Sequence, residues 1–391
     1  MKLTLEDIGR LAGVSRSTVS RVINDQASVS SDVRERVQEV IASTGYAPNV
    51  AARSLVSRRT GVIGLVIPSR VHNLFEDPYF ARLIQGISAA SNQAGTTLSL
   101  FLFQNEAEEN DLYPRVVASG LVDGVILTAT RSGDPLLARM ATGDLPLVMV
   151  GRPDLEGVSY VDADNHDGAR RAANHLCNLG YGRIGLLGAP TSTTAGLARL
   201  NGFIEGLAGC GMTLDPKLRV DGDFSEASGY ESMQALIPRG PDAVFVASDT
   251  MAMGALRALR EAHIQVPQGM ALVGFGGLPA SENSIPALTT VRQPVAATGA
   301  RAVHLLNDLV RRAVTAPVSE ILPVELVIRD SCGAVRGAPS AGTSPRTSVV
   351  ECGHSATPRS STARSAATPP PRGMEVVPSS PTVSWTSPTA P

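Results

Sequence analysis

Apolar positions along the first 45 residues recur every three or four places, the spacing of one buried helical face. Thr4 and Asp7 have the separation of a capping box, and Leu5, Ile8, Leu11 and Ala12 follow at helical period as the inward side. Gly13 ends this helix, because glycine accepts the left-handed conformation of a C-terminal cap. Ser15 starts a second helix with Thr18, Val19, Val22 and Ile23 facing in, and Asn24-Asp25 stops it. Ser30 caps a third, with Val33, Val37, Val40 and Ile41 inward and its end at Thr44-Gly45. Two short helices joined by a tight glycine turn and braced by a third form a helix-turn-helix. Residues 47–60 then predict one amphipathic helix of about nine residues, too short to persist alone in water.

From Gly61 the period changes. Residues 62–67 (VIGLVI) are an unbroken apolar run, as in a buried parallel strand. Alternation follows: helix 79–94, strand 98–103, a helix, strand 125–127, a helix and strand 147–150. A second series is expected from about Ser159, with helix 167–179, strand 184–187, helices 199–208 and 228–236, strand 243–246, helix 250–262 and strand 272–275. Such alternation gives parallel sheets with helices on both faces. Two series imply two lobes with a ligand cleft beyond the carboxyl ends of the strands. The expected fold is thus a small all-α helix-turn-helix head on an α/β, two-lobed sensor of the periplasmic-binding-protein type.

Charge sharpens this division. The formal net charge is −2, yet residues 1–59 carry nine Lys/Arg against six Asp/Glu, and residues 333–391 carry five Arg against two Glu. The middle is strongly acidic, so a polyanion partner is expected for the head alone. Cys177, Cys210, Cys332 and Cys352 show no metal-binding spacing and read as free thiols of a buried core. No apolar run reaches membrane length, and Met1-Lys2-Leu3-Thr4 leads into a polar helix rather than a signal peptide. There is no P-loop, no G-x-S-x-G and no cluster of histidines, and Gly274-Phe-Gly-Gly277 lacks the G-x-G-x-x-G spacing. These absences argue against an enzyme on a doubly wound scaffold, and no cofactor or metal is expected. From residue 333 the chain is rich in Ser, Thr, Pro and Ala and holds no Leu, Ile, Phe or Tyr, a composition expected to be disordered.

The second helix offers Arg16, Ser17, Ser20 and Arg21 outward. In a helix-turn-helix the first residues of that helix enter the major groove and touch base edges. Arg pairs bidentately with guanine there, and Ser serves any base. The run from Leu5 to Asn24 resembles the lactose/galactose-repressor family of bacterial transcription regulators, as do Val29-Ser30, Gly45-Tyr46-x-Pro48-Asn49 and Ala52-Arg53-x-Leu55. The resemblance implies a ligand-responsive regulator of the bacterial cytoplasm and nucleoid, without membrane contact. It would be a homodimeric repressor on a near-palindromic operator in double-stranded DNA, with an activator of the same family as the alternative. It makes Arg16 and Ser17 the pair that sets operator preference and Arg21 a further DNA contact, and it groups Thr4, Ser15, Thr18, Ser20 and Asn24 with them.

By the same resemblance, residues 49–57 are a hinge helix that forms on the operator and enters the minor groove, with Asn49 at the DNA, Ala52 against the groove and Arg53 near phosphates. Leu55 corresponds to an apolar wedge between base pairs, which unstacks a step and kinks the duplex. The implied boundaries are head 1–46, hinge 47–60, ligand-binding and dimerisation body 61–332, and tail 333–391. Within the body the chain would cross between lobes near residues 151–161 and 290–293, and again at 321–327, with helix 295–312 returning to the first lobe.

The resemblance also places ligand contacts at strand ends. Asp77-Pro-Tyr79-Phe80 matches a pocket-lining segment, Arg199 an arginine that grips hydroxyls or a carboxylate, and Asp249 an acid that bonds sugar hydroxyls. Phe224 falls where an aromatic packs on the ligand. An Arg and an Asp with flanking rings suit a polyhydroxylated ring, so the expected effector is a sugar or sugar derivative. One departure stands out: strand 272–275 is followed by Gly276-Gly277 where the family carries an acid. That removes a polar group from the rim and is expected to loosen the loop around 281–284.

Overall fold

The computed structural model describes residues 3–23, 28–46, 59–68, 77–103, 105–117, 120–128 and 131–334. The expectations for Asn24, for Asn49, Ala52, Arg53 and Leu55, and for nearly all of the tail fall outside the described residues.

The head is three helices, α1 (Leu5–Ala12), α2 (Arg16–Ile23) and α3 (Ser31–Thr44). The capping box is formed in both directions: the Asp7 N–H donates to the Thr4 hydroxyl at 3.3 Å, and the Thr4 N–H to the Asp7 carboxylate at 3.0 Å. Gly13 and Gly45 close α1 and α3 at φ 67° and 62°, the left-handed region that a side chain would strain. Ile8, Ala12, Val19, Val22 and Val37 form the buried core. Leu11, expected inward, is instead 55% exposed, because it lies about 100° around the helix from Ala12 and so off the buried stripe. Ser30 occupies the N-cap of α3, but its side chain makes no capping bond.

The body holds two sheets, each of six strands among the described residues. The first runs in the order β11 (Ser319–Leu322), β5 (Ser159–Ala163), β4 (Leu147–Val150), β3 (Gly124–Thr128), β1 (Val62–Ile67), β2 (Thr97–Leu102), with every pairing parallel. The second runs β12 (Glu325–Val327), β10 (Thr289–Arg292), β9 (Ala271–Gly276), β8 (Ala243–Val246), β6 (Ile184–Gly188), β7 (Arg219–Asp221). Only β10–β12 is antiparallel. Strands β3, β6, β8 and β9 are buried along their whole length, as expected of strands covered on both faces.

The first lobe carries α4 (Pro78–Gln93), α5 (Glu106–Val117), α6 (Pro135–Ala141) and α12 (Val295–Val310). The second carries α7 (Asn165–Asn178), α8 (Thr194–Gly209), α9 (Glu226–Leu236), α10 (Asp249–Glu261) and the short α11 (Pro279–Asn283). Apolar clusters fill the faces of each sheet, with Phe203, Phe245 and Phe275 wholly buried in the second lobe.

One expectation needs correction. Ser159 does not open the second series: β5 stays in the first sheet, between β4 and β11, and the chain crosses at Asp164. Strand β5 alternates buried and half-buried positions, so its run lacks the continuous apolar signature of its neighbours. The last crossing falls within 321–327, as expected, and turns on Pro323, which cannot donate to a ladder. It separates β11 in the first sheet from β12 in the second. The three-residue β7, with charged residues at both ends, gave no periodicity to detect.

Candidate functional site

The carboxyl ends of both sets of strands converge on a cavity of about 320 Å³ between the lobes. Asp77, Tyr79, Phe80, Arg199 and Phe224 all line it. Asp77 is the N-cap of α4 and accepts from the Tyr79 N–H at 3.0 Å, which fixes the carboxylate at the cavity wall. Tyr79 and Phe80 meet edge to face, with ring centroids 5.3 Å apart. Phe224 adopts φ 75° between β7 and α9. A non-glycine residue in that region is strained, and here the strained residue is one whose ring lines the cavity.

Arg199 anchors the floor. It is buried, its Nε donates to Asn165 Oδ1 at 2.9 Å, and its Nη1 donates to the Ala247 carbonyl at 2.6 Å. Its guanidinium sits over the Phe275 ring, 3.9 Å from the centroid. Burial lowers its pKa to about 10, and Tyr79, Asp162, Asp249 and Asp77 act in the opposite sense. Burial also raises the carboxyls of Asp77 and Asp162 above the ordinary carboxylate range, with Arg199 opposing the shift in each. A pocket with a buried cation, two carboxylate acceptors and aromatic walls can grip vicinal hydroxyls by their edges and a pyranose ring by its faces.

Sequence reasoning missed Asp162, Asn165, Asp223 and Gln293, which also line the cavity. Asp162 and Asn165 flank the crossing that was expected earlier in the chain, so no pattern marked them. A second cavity of about 430 Å³ lies at the amino ends of β4 and β5, among Pro146, Val158 and Leu309, and holds none of the expected residues.

Asp249 does not line the cavity. It is wholly buried beneath it, where the Thr290 hydroxyl donates to Oδ1 at 2.6 Å and the Leu278 N–H donates to Oδ2 at 2.9 Å. The Gly277 N–H donates to it as well, and burial pushes its carboxyl pKa up. Its role is therefore to hold the turn after β9.

That turn also explains the two glycines. Gly276 and Gly277 have φ 147° and 70°, and a methyl on Gly277 would meet Arg292 Cγ at 2.6 Å. The expected loosening does not occur: Asp249 grips the turn, and Arg329 donates to Ser281 Oγ at 3.2 Å and to the Glu282 carboxylate at 2.9 Å.

Bonds between the lobes frame the cavity. The Thr250 hydroxyl donates to Asp77 at 3.4 Å, Arg82 to the Gly277 carbonyl at 3.1 Å, Thr194 to the Arg152 carbonyl at 2.6 Å, and the Ser132 N–H to the Ser192 carbonyl at 2.7 Å. Below the first lobe, the Asp123 carboxylate accepts from the Thr60 N–H, the Thr60 hydroxyl and the Gly61 N–H at 2.6, 2.9 and 2.8 Å. Arg59 donates to the Val310 carbonyl at the end of α12. The chain entering the body is thus tied to the start of β3 and to the last helix.

In the head, Val19 and Val22 turn inward while Arg16, Ser17 and Arg21 are exposed on α2. Arg16 pairs with Glu6 at 3.0 Å across exposed surface, an interaction weak enough to exchange for another acceptor. Thr4 and Ser15 serve as caps of α1 and α2, with the Thr18 N–H donating to the Ser15 hydroxyl at 3.2 Å. Thr18 and Ser20 are half-buried beside them.

Residues 4–49 match the family described as bacterial regulatory proteins, lacI family, and residues 173–332 match a periplasmic binding protein-like domain. The chain is 39% identical over 333 residues to the HTH-type transcriptional regulator CelR of Thermobifida fusca, covering 84% of this chain and 98% of that one. A transcriptional regulator CelR–cellobiose complex is similar in structure at TM-score 0.67 and 37% identity, covering 84% of this chain and 99% of the other. The lac repressor dimer bound to operator and the anti-inducer ONPF aligns at TM-score 0.73 and 27% identity, over 85% and 100% of the two chains.

A helix-turn-helix head on a two-lobed ligand-binding body defines a ligand-responsive, DNA-binding transcriptional regulator, not an enzyme. The chain belongs to the lacI family of bacterial regulatory proteins. No described helix is long and apolar enough to cross a membrane.

Proposed function

We propose that this regulator is a repressor that binds a near-palindromic operator as a homodimer and takes a short saccharide, of the cellobiose type, in the interlobe cavity. Residues 1–46 read the operator in the nucleoid of the cytoplasm, 47–60 form the hinge, and 61–332 bind the effector and dimerise. Arg16, Ser17 and Arg21 contact bases or phosphates, joined at the DNA by Thr4, Ser15, Thr18, Ser20, Asn24 and Asn49; Ala52 lies against the minor groove, Leu55 wedges into it, and Arg53 sits near phosphates.

The observation that carries the effector class is the buried Arg199 set between Asp77 and Asp162 and walled by Tyr79 and Phe224. That donor, acceptor and ring set is the complement of a polyhydroxylated ring. The likeness to CelR, recorded with cellobiose, supports the same class. An effector acts only through its different affinity for two arrangements of the lobes. The four interlobe bonds are where those arrangements would differ, and Asp123 and Arg59 carry the change to the hinge.

A thermal-shift series with cellobiose, glucose, nucleosides and sugar phosphates tests the effector. At a hundredfold excess over Kd, a ligand selective for the folded state adds about 2.7 kcal/mol of stability. A shift with cellobiose or another short saccharide is expected; a shift with nucleosides alone would discard the saccharide. A footprint on the DNA flanking its own gene should show dyad-related half-sites about one helical turn or a multiple apart, with occupancy changed by the same sugar.

A further inference from the structure

Two thiols of the second lobe face each other away from the effector cavity. Cys177 lies in the last turn of α7, and Cys210 is the C-cap of α8. The helices run close because α8 turns glycines toward α7. A methyl on Gly202 would meet the His166 carbonyl oxygen at 2.0 Å, and one on Gly206 the Arg170 carbonyl oxygen at 2.6 Å. At the far end Cys210 Sγ lies 3.7 Å from Asn174 Oδ1, and Cys177 Sγ lies 3.8 Å from Met212 Sδ. Asn174 precedes Cys177 by three residues on α7, and Met212 follows Cys210 by two, so these contacts cross between the same two chain segments. These crossing contacts set the two thiols beside each other at the paired ends of the helices. Cys210 is exposed and Cys177 half-buried. Burial first, and then Cys210, pushes the Cys177 thiol up to about 12.

We propose that Cys177 and Cys210 are an oxidisable dithiol, closed by a hydroperoxide into a disulfide that pins α7 to α8. Cys210, the accessible sulfur, reacts first. Its thiolate attacks hydrogen peroxide; an S–O bond forms, the O–O bond breaks, and the departing oxygen takes up the Cys210 proton as water. The Cys177 sulfur then attacks the Cys210 sulfenic acid. The S–S bond forms, the S–O bond breaks, and hydroxide leaves with the Cys177 proton as a second water. Two thiols lose two electrons and two protons, and one peroxide becomes two waters. A disulfide of this kind inside a reducing compartment is transient and sensing rather than structural.

The link has a route to the effector site. Asn165 opens α7, Arg199 lies in α8, and these two side chains are bonded at the cavity floor. A covalent tie at the other ends of both helices fixes the register that holds this pair. It also restricts the unfolded chain by closing a loop, so the oxidised protein melts at a higher temperature.

The test uses the full chain carrying Cys352→Ser, oxidised with a few equivalents of hydrogen peroxide, quenched, and alkylated before digestion. The expected product is lighter by roughly 2 Da, joins the Cys177 and Cys210 peptides, melts higher, and reverts with dithiothreitol. In the Cys177→Ser variant, Cys210 should be trapped by dimedone as a sulfenic acid, with no rise in melting temperature. In the Cys210→Ser variant, Cys177 should stay alkylatable. Full alkylation of both thiols after peroxide, or sulfinic acid accumulating on Cys210 while Cys177 stays reduced, would overturn the proposal.

Discussion

The guanidinium of Arg199 stacks over the ring of Phe275, 3.9 Å from its centroid, beneath the wall of the interlobe cavity. Phe275 belongs to β9 and Arg199 to α8, so the stack ties strand end to helix at the point a ligand would touch. A planar cation can hold Asn165, the Ala247 carbonyl and a ring face at once; an ammonium cannot. Arg199→Lys should weaken saccharide binding at least tenfold, about 1.4 kcal/mol or more. Titration calorimetry measures this, and a urea melt should show a stability loss on the order of 1–2 kcal/mol.

Asp123 receives three donors from Thr60 and Gly61, which on the proposed reading makes it the clasp between hinge and body. Removing its charge weakens charge-assisted bonds without touching the cavity. Asp123→Asn should leave saccharide affinity unchanged while diminishing the effect of the saccharide on operator binding. Paired calorimetry and gel-shift titrations separate the two, and a loss of saccharide affinity would assign Asp123 to the body alone.

The raised Asp77 carboxyl makes stability depend on pH. Its folded pKa lies above the ordinary 3.8, so the folded chain holds the proton more tightly than the unfolded chain. The stability this contributes is fully present below 3.8 and is lost as pH rises through the folded value. Asp77→Asn can keep the Tyr79 cap and the Thr250 bond without the buried charge. It should melt above the wild type at neutral pH, with the gap closing as pH falls toward 3.8.

Gly277 at φ 70° abuts Arg292, so a side chain there meets both strain and a clash. Gly277→Ala should destabilise the protein by about 1–3 kcal/mol, read from a denaturant midpoint with unchanged slope. A change within experimental error would mean that neither the strain at φ 70° nor the contact with Arg292 governs the turn.

Leu55 tests the hinge. If Leu55 is the proposed wedge that unstacks a base step, Leu55→Ala should weaken operator binding strongly with little change in melting temperature. Parallel loss of both would make it a packing residue.

Much of the architecture was legible because the periods are unambiguous. Strands β4 and β8 were expected with the bounds they have, and α4, α9 and α10 within two residues at each end. The errors in the body share one cause. Strand β5 and the place of Asp249 depend on which sheet or turn a segment packs against, and that is a long-range fact.

The cavity divides the same way. Sequence by itself determined the two periods, the caps of the head helices, and the resemblance that singled out Asp77, Tyr79, Phe80, Arg199 and Phe224, because local spacing and motif identity are properties of neighbouring residues. Only the tertiary structure decided that Asp162 and Asn165 join them, that Asp249 faces a turn instead of the cleft, and that Gly276-Gly277 is a backbone requirement. Each of those outcomes is set by the close approach of segments fifteen or more residues apart, which no periodicity records.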